Sequence, residues 1–369
     1  MKEISYDDWI IRPSDDAKPR EAMIEITSRC NYSCVHCFRN AVFDETFGDM
    51  SFDLYAKVLE DLKKCHAQRI ILSGWGEPLV HPMFIKFCKL AKELGFQLVV
   101  TTNGSLLHRY VPEIVEIGVD EIVLSIDSPR EEAYGLLRKQ GKLSTVIRAL
   151  KEITAMKLKR DMDKPQMALH FTITRLNCKD IPLLPSFAME LGIEKITLSH
   201  VIATSRDIER KLSCLLSEIS RKRLRSYIDK ASSMASEYGI ALSIPRDGVT
   251  GKRICPFVNK KAIFISWDGH VSPCIYYAHN WRASFFGRER TIYRVTFGNI
   301  REGDLMTIWK NPEFIMFKFK TRFFEYPSCL DCDLMEICSL TKSNEVDCYG
   351  NSPTCASCPY AHDIVRCPL

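Results

Sequence analysis

Ala22-Met23-Ile24-Glu25-Ile26-Thr27-Ser28-Arg29-Cys30-Asn31-Tyr32-Ser33-Cys34-Val35-His36-Cys37 is a short β-rich run that ends in three cysteines spaced Cys-x3-Cys-x2-Cys. Three thiolates this close on one loop can hold three irons of a 4Fe–4S cube and leave the fourth without a protein ligand. An open coordination position is where a metal centre does chemistry, as catalytic zinc sites differ from structural ones. The stretch therefore reads as a strand that delivers a reactive iron–sulfur centre to its own carboxyl end.

Outward from it, β-rich runs and helical patterns alternate. The runs fall at Ala22–Thr27, Arg69–Ser73, Gln97–Thr101, Glu121–Ile126, Gln166–Ile173 and Glu194–Ser199. Helical periodicity fills Phe52–Cys65, Pro82–Leu94, Tyr110–Ile117, Leu143–Ala155, Ile181–Leu191 and Ser217–Tyr238. Ser51 is placed to cap the first helix and Gly95 to end the second. Such alternation implies parallel strands joined by right-handed crossovers. Six units are too few for a closed eight-stranded barrel, so the expected fold class is α/β, an open, partial (β/α)6, TIM-like barrel.

A composition shift near Arg246 divides the chain into an extension (1–21), the barrel (22–245) and a cysteine-rich region (246–369). In the last, Ala262–Ser266 and Val271–Cys274 flank an Asp268-Gly269 turn and read as a hairpin. Leu305–Trp309 reads as a short helix, and long helical periodicity otherwise fades. From Cys329 to Leu369 the chain is loop-rich and needs internal staples to fold. The expected character is α+β.

The 369 residues carry a net charge of +5 with no long Lys/Arg block, so nucleic acid is not indicated as a substrate. No apolar run approaches the ~20 residues that span a bilayer, so no membrane is indicated. Residues 1–9 lack the apolar core of a signal peptide, and the expected location is cytoplasmic. Sixteen cysteines in such a chain favour metal ligands over disulfides. Three lie at 30–37 and nine between Cys255 and Cys367; Cys65, Cys88, Cys178 and Cys214 read as isolated packing residues.

In a parallel α/β sheet, ligands bind at the carboxyl ends of the strands. The polar residues collect at those ends: the cysteine triad after the first strand, Gly74-Trp75-Gly76-Glu77-Pro78 after the second, Thr102-Asn103-Gly104 after the third. Ser125-Ile126-Asp127 closes the fourth and Ser199-His200 the sixth.

With these residues in order, the chain resembles the radical SAM enzymes. The resemblance implies that S-adenosylmethionine chelates the open iron through its amino and carboxylate groups. One electron then splits a C–S bond, and the 5′-deoxyadenosyl radical takes hydrogen from the substrate. Protein-bound clusters reach the potentials this needs, down to roughly −700 mV. By resemblance, Cys30, Cys34 and Cys37 are the cluster ligands, and His36 stands where an aromatic residue flanks the adenine. Gly74, Gly76 and Glu77 match the element whose backbone meets the amino group, with Trp75 a departure from the usual small residue. Ser125 matches a ribose contact with Asp127 close by, Asn103 matches an asparagine after the third strand, and Arg138 matches the partner of the carboxylate.

The second half resembles the SPASM extension of that family, which holds two auxiliary 4Fe–4S clusters. Cys255 and Cys274, flanking the hairpin, imply the first cluster; Cys329-x2-Cys332-x5-Cys338 implies the second. The family's next cysteine would stand at 342, where this chain has Lys342, and Cys348 follows. Cys355, Cys358 and Cys367 complete the set, and the sequence leaves open which of the nine is spare. The pairs Cys329/Cys332 and Cys355/Cys358 also have zinc-knuckle spacing.

The Cys-rich segment 344–368, with Cys255-Pro256-Phe257, resembles radical SAM maturases associated with tungsten-dependent aldehyde oxidoreductases. The implied substrate is a peptide, protein or cofactor precursor, a tungsten oxidoreductase among them. The implied donor is a low-potential carrier such as ferredoxin or flavodoxin, under anaerobic conditions. A maturase of ribosomally made peptides or of sulfatases is the alternative, although about 20 residues before the first strand are few for a leader-binding domain. A non-enzymatic iron–sulfur electron carrier would need the cysteines but not Gly76, Glu77, Ser125 and Arg138. His270 and His279 read as turn or surface residues, and no acid/base pair stands out.

Overall fold

The computed structural model describes residues 3–14 and 16–369. A hairpin of β1 (Ile4–Tyr6) and β2 (Trp9–Ile11) precedes the main sheet. The barrel elements are β3 (Glu21–Ile24), α1 (Phe52–Lys64), β4 (Arg69–Leu72), α2 (Phe84–Glu93), β5 (Gln97–Thr102), α3 (Val111–Ile117) and β6 (Glu121–Ser125). They continue as α4 (Glu131–Leu137), α5 (Leu143–Arg160), β7 (Gln166–Ile173), α6 (Leu184–Glu190), β8 (Lys195–His200), α7 (Arg206–Leu212), α8 (Glu218–Glu237) and β9 (Ala241–Ser243). The remainder holds α9 (Pro256–Asn259), β10 (Ala262–Ile265), β11 (Val271–Ser272), β12 (Trp281–Phe285), β13 (Arg288–Ile292), α10 (Leu305–Trp309) and α11 (Pro312–Phe323).

The six expected strands are present and run parallel in chain order, β3 to β8. They alternate with helices, as a partial barrel requires. Their runs are nearly continuous apolar sequence because both faces are covered; Ile70, Ile71 and Leu72 of β4 have no exposed surface. Ser51 caps α1, its hydroxyl accepting from the Leu54 amide at 3.3 Å. Gly95 takes a left-handed φ of +83° just after α2, where a side chain is disfavoured.

The sheet is longer than six strands. β9 extends it beyond β8, and β10 lies parallel beside β3 with Ile265 opposite Ile24, β11 then pairing antiparallel to β10. The compositional change near Arg246 is therefore not a break in the sheet. The all-buried run Ala262–Ile265 covers what would otherwise be an open edge at β3.

Several elements differ from expectation. The segment 178–190 begins as a 3-10 turn and becomes helical only at Leu184, because Pro182 and Pro185 lack the amide a helix interior needs. After Arg246 helical structure does not fade: α11 is 12 residues long. Its start was legible, since the Asn311 side chain accepts from the Glu313 amide at 2.9 Å and Pro312 occupies the first turn. The β12–β13 hairpin turns through Phe286-Gly287, both at positive φ, without an Asn-Gly or Asp-Gly signal. Cys178 and Cys214 are not isolated: the two thiols neighbour each other, and the Cys214 thiol lowers the Cys178 pKa. Among the described residues no helix is long and apolar enough to cross a membrane.

Candidate active site

Residues 25–51 form a loop pinned at its base. Ser28 N donates to Gly48 O at 3.0 Å, Gly48 N to Ser28 Oγ at 2.9 Å, and Met50 N to Ile26 O at 2.8 Å. The Gly-rich turn after β4 clamps this base from the side. A Cβ on Gly76 would fall 2.3 Å from Thr27 O and 2.5 Å from Arg29 O, and Glu77 N donates to Arg29 O at 2.8 Å. Gly74 is required by the Glu25 side chain, which would stand 2.6 Å from an added Cβ.

The thiols of Cys30, Cys34 and Cys37 face one cavity. Burial pushes all three pKa values up, Cys34 to about 12, with Arg138 the chief opposing influence there. Nitrogen donors surround the sulfurs: Tyr32 N lies 3.4 Å from Cys30 Sγ, Asn103 Nδ2 4.0 Å from Cys30 Sγ, and Arg138 Nη1 4.0 Å from Cys34 Sγ. The end of α4 joins the loop where Val35 N donates to Leu137 O at 2.9 Å.

Arg138 is buried and ion-paired, its Nε 2.6 Å from Asp127 Oδ2. Asp127 also meets His36 Nε2 at 3.3 Å and accepts from Thr172 N at 2.9 Å. Burial would raise the Asp127 pKa, but Arg138 and then His36 bring it below the usual carboxylate range. Glu77 is saturated by the protein: Thr102 Oγ1 at 2.6 Å, Asn103 N at 2.7 Å and Leu79 N at 3.1 Å all donate to it. It fixes the turn after β5 against the turn after β4.

The cavity, about 260 Å³, opens at the carboxyl ends of the strands. At the other end Arg69 spans Glu21 and Glu121 at 3.3 and 3.2 Å. Ser125, His170 and Thr172 face inward from β6 and β7, and Ser199 and His200 from the end of β8. Burial lowers the pKa of both histidines to about 4, which leaves them neutral near pH 7. Tyr360, Arg366 and Cys367, from far along the chain, complete the wall.

Trp75 joins this site to the cysteine-rich region. Its indole Nε1 donates to Ile275 O at 3.1 Å, next to Cys274, and its ring meets His279 edge-on at 5.0 Å. Its amide donates to Glu25 Oε2 at 2.7 Å, while Glu25 Oε1 is 2.9 Å from His279 Nε2. Beyond β11, half-buried Cys274 has Cys358, Cys355 and Cys255 as thiol neighbours, whereas Cys329 has Cys348.

Residues 24–170 match the Radical SAM superfamily and residues 255–333 match SPASM, the iron-sulfur cluster-binding domain. The chain is 33% identical over 360 residues to the tungsten-containing aldehyde ferredoxin oxidoreductase cofactor-modifying protein of Pyrococcus furiosus, covering 94% of this chain and 96% of that one. The chain belongs to the radical SAM superfamily. A PqqA peptide cyclase of Gluconobacter oxydans is 24% identical, with 94% and 93% covered. Among solved structures, Streptococcus suis SuiB bound to S-adenosylmethionine superposes with a TM-score of 0.62 at 16% identity, over 88% of this chain and 73% of that one. The enzyme anSMEcpe with bound AdoMet gives 0.62 at 16%, over 91% and 90%. At these identities the likeness is one of fold.

As a radical SAM/SPASM enzyme, the protein uses S-adenosylmethionine and a 4Fe–4S cluster, and its SPASM domain carries further iron–sulfur clusters. The residues fit such a group: three thiols whose protons burial retains until metal replaces them, with nitrogen donors on the sulfurs. The fold brings Cys30, Cys34, Cys37, His36, Gly74, Gly76, Glu77, Asn103, Ser125 and Arg138 to one radical SAM cavity. Asp127 is not among the residues that line it. It has no exposed surface and stands behind that wall as the counter-charge of Arg138, because Thr172 N and Arg138 together turn its carboxylate inward. His279, expected in a turn or on the surface, is buried between two glutamates. His170, Thr172 and Cys367 were not singled out as cavity residues; inward alternation along β7 was a usable signal for the first two, and nothing local marked the third.

Proposed function

We propose that this protein is a maturase whose radical chemistry acts on the cofactor, or the cofactor-bearing protein, of a tungsten-dependent oxidoreductase. The relative sharing a third of its residues over nearly its whole length supports that substrate class. The observation that carries the catalytic assignment is the convergence of three thiols, Asn103, Ser125 and Arg138 on one cavity at the strand ends. Cys30, Cys34 and Cys37 hold the cluster, which when bound supplies the electron that cleaves S-adenosylmethionine.

The chain's own residues prepare the place. Arg138, fixed by Asp127, presents a guanidinium edge toward a carboxylate beside the cluster. The Gly74–Gly76 backbone, held down by Glu25 and Glu77, offers its polar groups to an amine. Ser125 and Asn103 supply hydrogen bonds for ribose and carboxylate oxygens, and His36 packs by the adenine. The division near residue 245 belongs to this reading, with cofactor chemistry before it and after it the nine thiols Cys255, Cys274, Cys329, Cys332, Cys338, Cys348, Cys355, Cys358 and Cys367, from which two auxiliary clusters draw eight. A low-potential ferredoxin or flavodoxin supplies the electron.

The test is oxygen-free incubation of the reconstituted, reduced protein with S-adenosylmethionine, following 5′-deoxyadenosine. A tungsten oxidoreductase carrying its unmodified cofactor should stimulate release. Stimulation by a ribosomal precursor peptide, and none by the oxidoreductase, would replace this substrate with a peptide.

A further inference from the structure

Two four-iron centres take eight thiolates, and nine cysteines follow Arg246. The fold distributes them unevenly. Cys255, Cys274, Cys355 and Cys358 form a set in which Cys274 feels all three others. Cys329, Cys332 and Cys338 lie on one short run, with Cys348 beside Cys329. Cys367 has Cys255 and Cys358 as neighbours. It differs in position: of the nine, it is the one whose side lines the barrel cavity among the described residues.

The segment 359–368 places it there. Arg366 N donates to Ser199 Oγ at 3.0 Å, His200 N to Ile364 O at 3.4 Å, and Arg246 N to Asp363 O at 2.9 Å. These bonds strap the segment across the ends of β8 and β9. At the same wall stands His200, 3% exposed, whose Nε2 is buried without any partner. A buried polar atom left unpaired is destabilising. An uncharged hydrogen-bonding group of an occupant would remove that cost, and the neighbouring Val201, Ile202 and Ile275 suit an apolar remainder.

We propose that Cys367 ligates neither auxiliary centre and is instead a free thiol displayed to the reaction cavity beside His200, where it contacts the substrate. The inference rests on the reading that two auxiliary centres occupy the cysteine-rich region. Its test uses the reconstituted full-length protein without oxygen. Iodoacetamide followed by peptide mass spectrometry should label Cys367 while the other eleven motif cysteines stay protected. Cys367→Ser should keep about twelve irons per chain, whereas Cys355→Ser and Cys358→Ser should each lose about four. His200→Trp, which puts a larger ring into the same wall of the cavity, should slow Cys367 labelling by about tenfold or more. Protection of Cys367 in the unmutated protein, loss of about four irons in Cys367→Ser, or a labelling rate unchanged by His200→Trp overturns the proposal. Unmutated protein with only about four irons would refute the auxiliary centres themselves.

Discussion

Replacing His279 with glutamine removes the positive member of a buried triad and should loosen the joint between the two halves of the active site. His279 Nε2 lies 2.9 Å from Glu25 Oε1 and Nδ1 2.5 Å from Glu45 Oε2. Burial by itself would discharge the ring; the attraction and hydrogen bonds of Glu25, then Glu45, outweigh it and raise the pKa from 6.5 to about 9. A rise of that size is about 3 kcal/mol of folding free energy. Because the folded-state pKa is the higher one, this contribution is complete below pH 6.5 and disappears as pH rises through about 9. Glutamine also leaves two carboxylates buried without a cation, which adds to the loss. In anaerobic thermal melts the variant should fall several degrees below the unmutated protein at pH 6, at roughly 1–2 °C per kcal/mol for a chain of this length. The gap should narrow toward pH 10. Affinity for S-adenosylmethionine should weaken with it, since Glu25 also holds the Trp75 amide. A gap that stays constant from pH 6 to pH 10 would refute the reasoning.

Gly76→Ala forces a methyl onto the Thr27 and Arg29 carbonyls at 2.3 and 2.5 Å, a clash between two backbones that neither can relieve. It should cost about 3 kcal/mol or more and lower iron in the first centre, read by melting and iron analysis. Arg138→Lys keeps the charge but loses the planar fork that meets Asp127 and faces a carboxylate. S-adenosylmethionine should then bind about tenfold more weakly by equilibrium binding, at unchanged iron content. In the holoprotein, Cys34→Ala should abolish 5′-deoxyadenosine release while Cys332→Ala retains part of it, because Cys34 lines the cofactor cavity and Cys332 is not among its lining residues.

Much of the barrel was legible because its signals are local. β4 and β7 are runs of β-branched and apolar residues, and Ser51 and Gly95 punctuate helices by chemistry acting within a few residues. The site was legible for the same reason, since the cysteine spacing and the Gly-rich turn are short motifs. What escaped depends on long-range contacts. Nothing near His279 announces that Glu25 and Glu45 will bury it, as those residues lie more than 230 positions away. The placing of β10 beside β3 answers an open edge that exists only once the sheet is assembled. Asp127 reads as one more polar residue at a strand end, until Arg138 and Thr172 determine which way it faces. The sequence left open which of the nine later cysteines is spare, because spacing carries no information about the strap that brings Cys367 to the cavity.

The most direct measurement is Mössbauer and electron paramagnetic resonance spectroscopy on oxygen-free protein, with and without S-adenosylmethionine. One four-iron centre should change its spectrum on addition of the nucleotide, and that centre should vanish in Cys34→Ala yet persist in Cys332→Ala. A first centre indifferent to S-adenosylmethionine, or zinc alone in the loop after β3, would contradict the account.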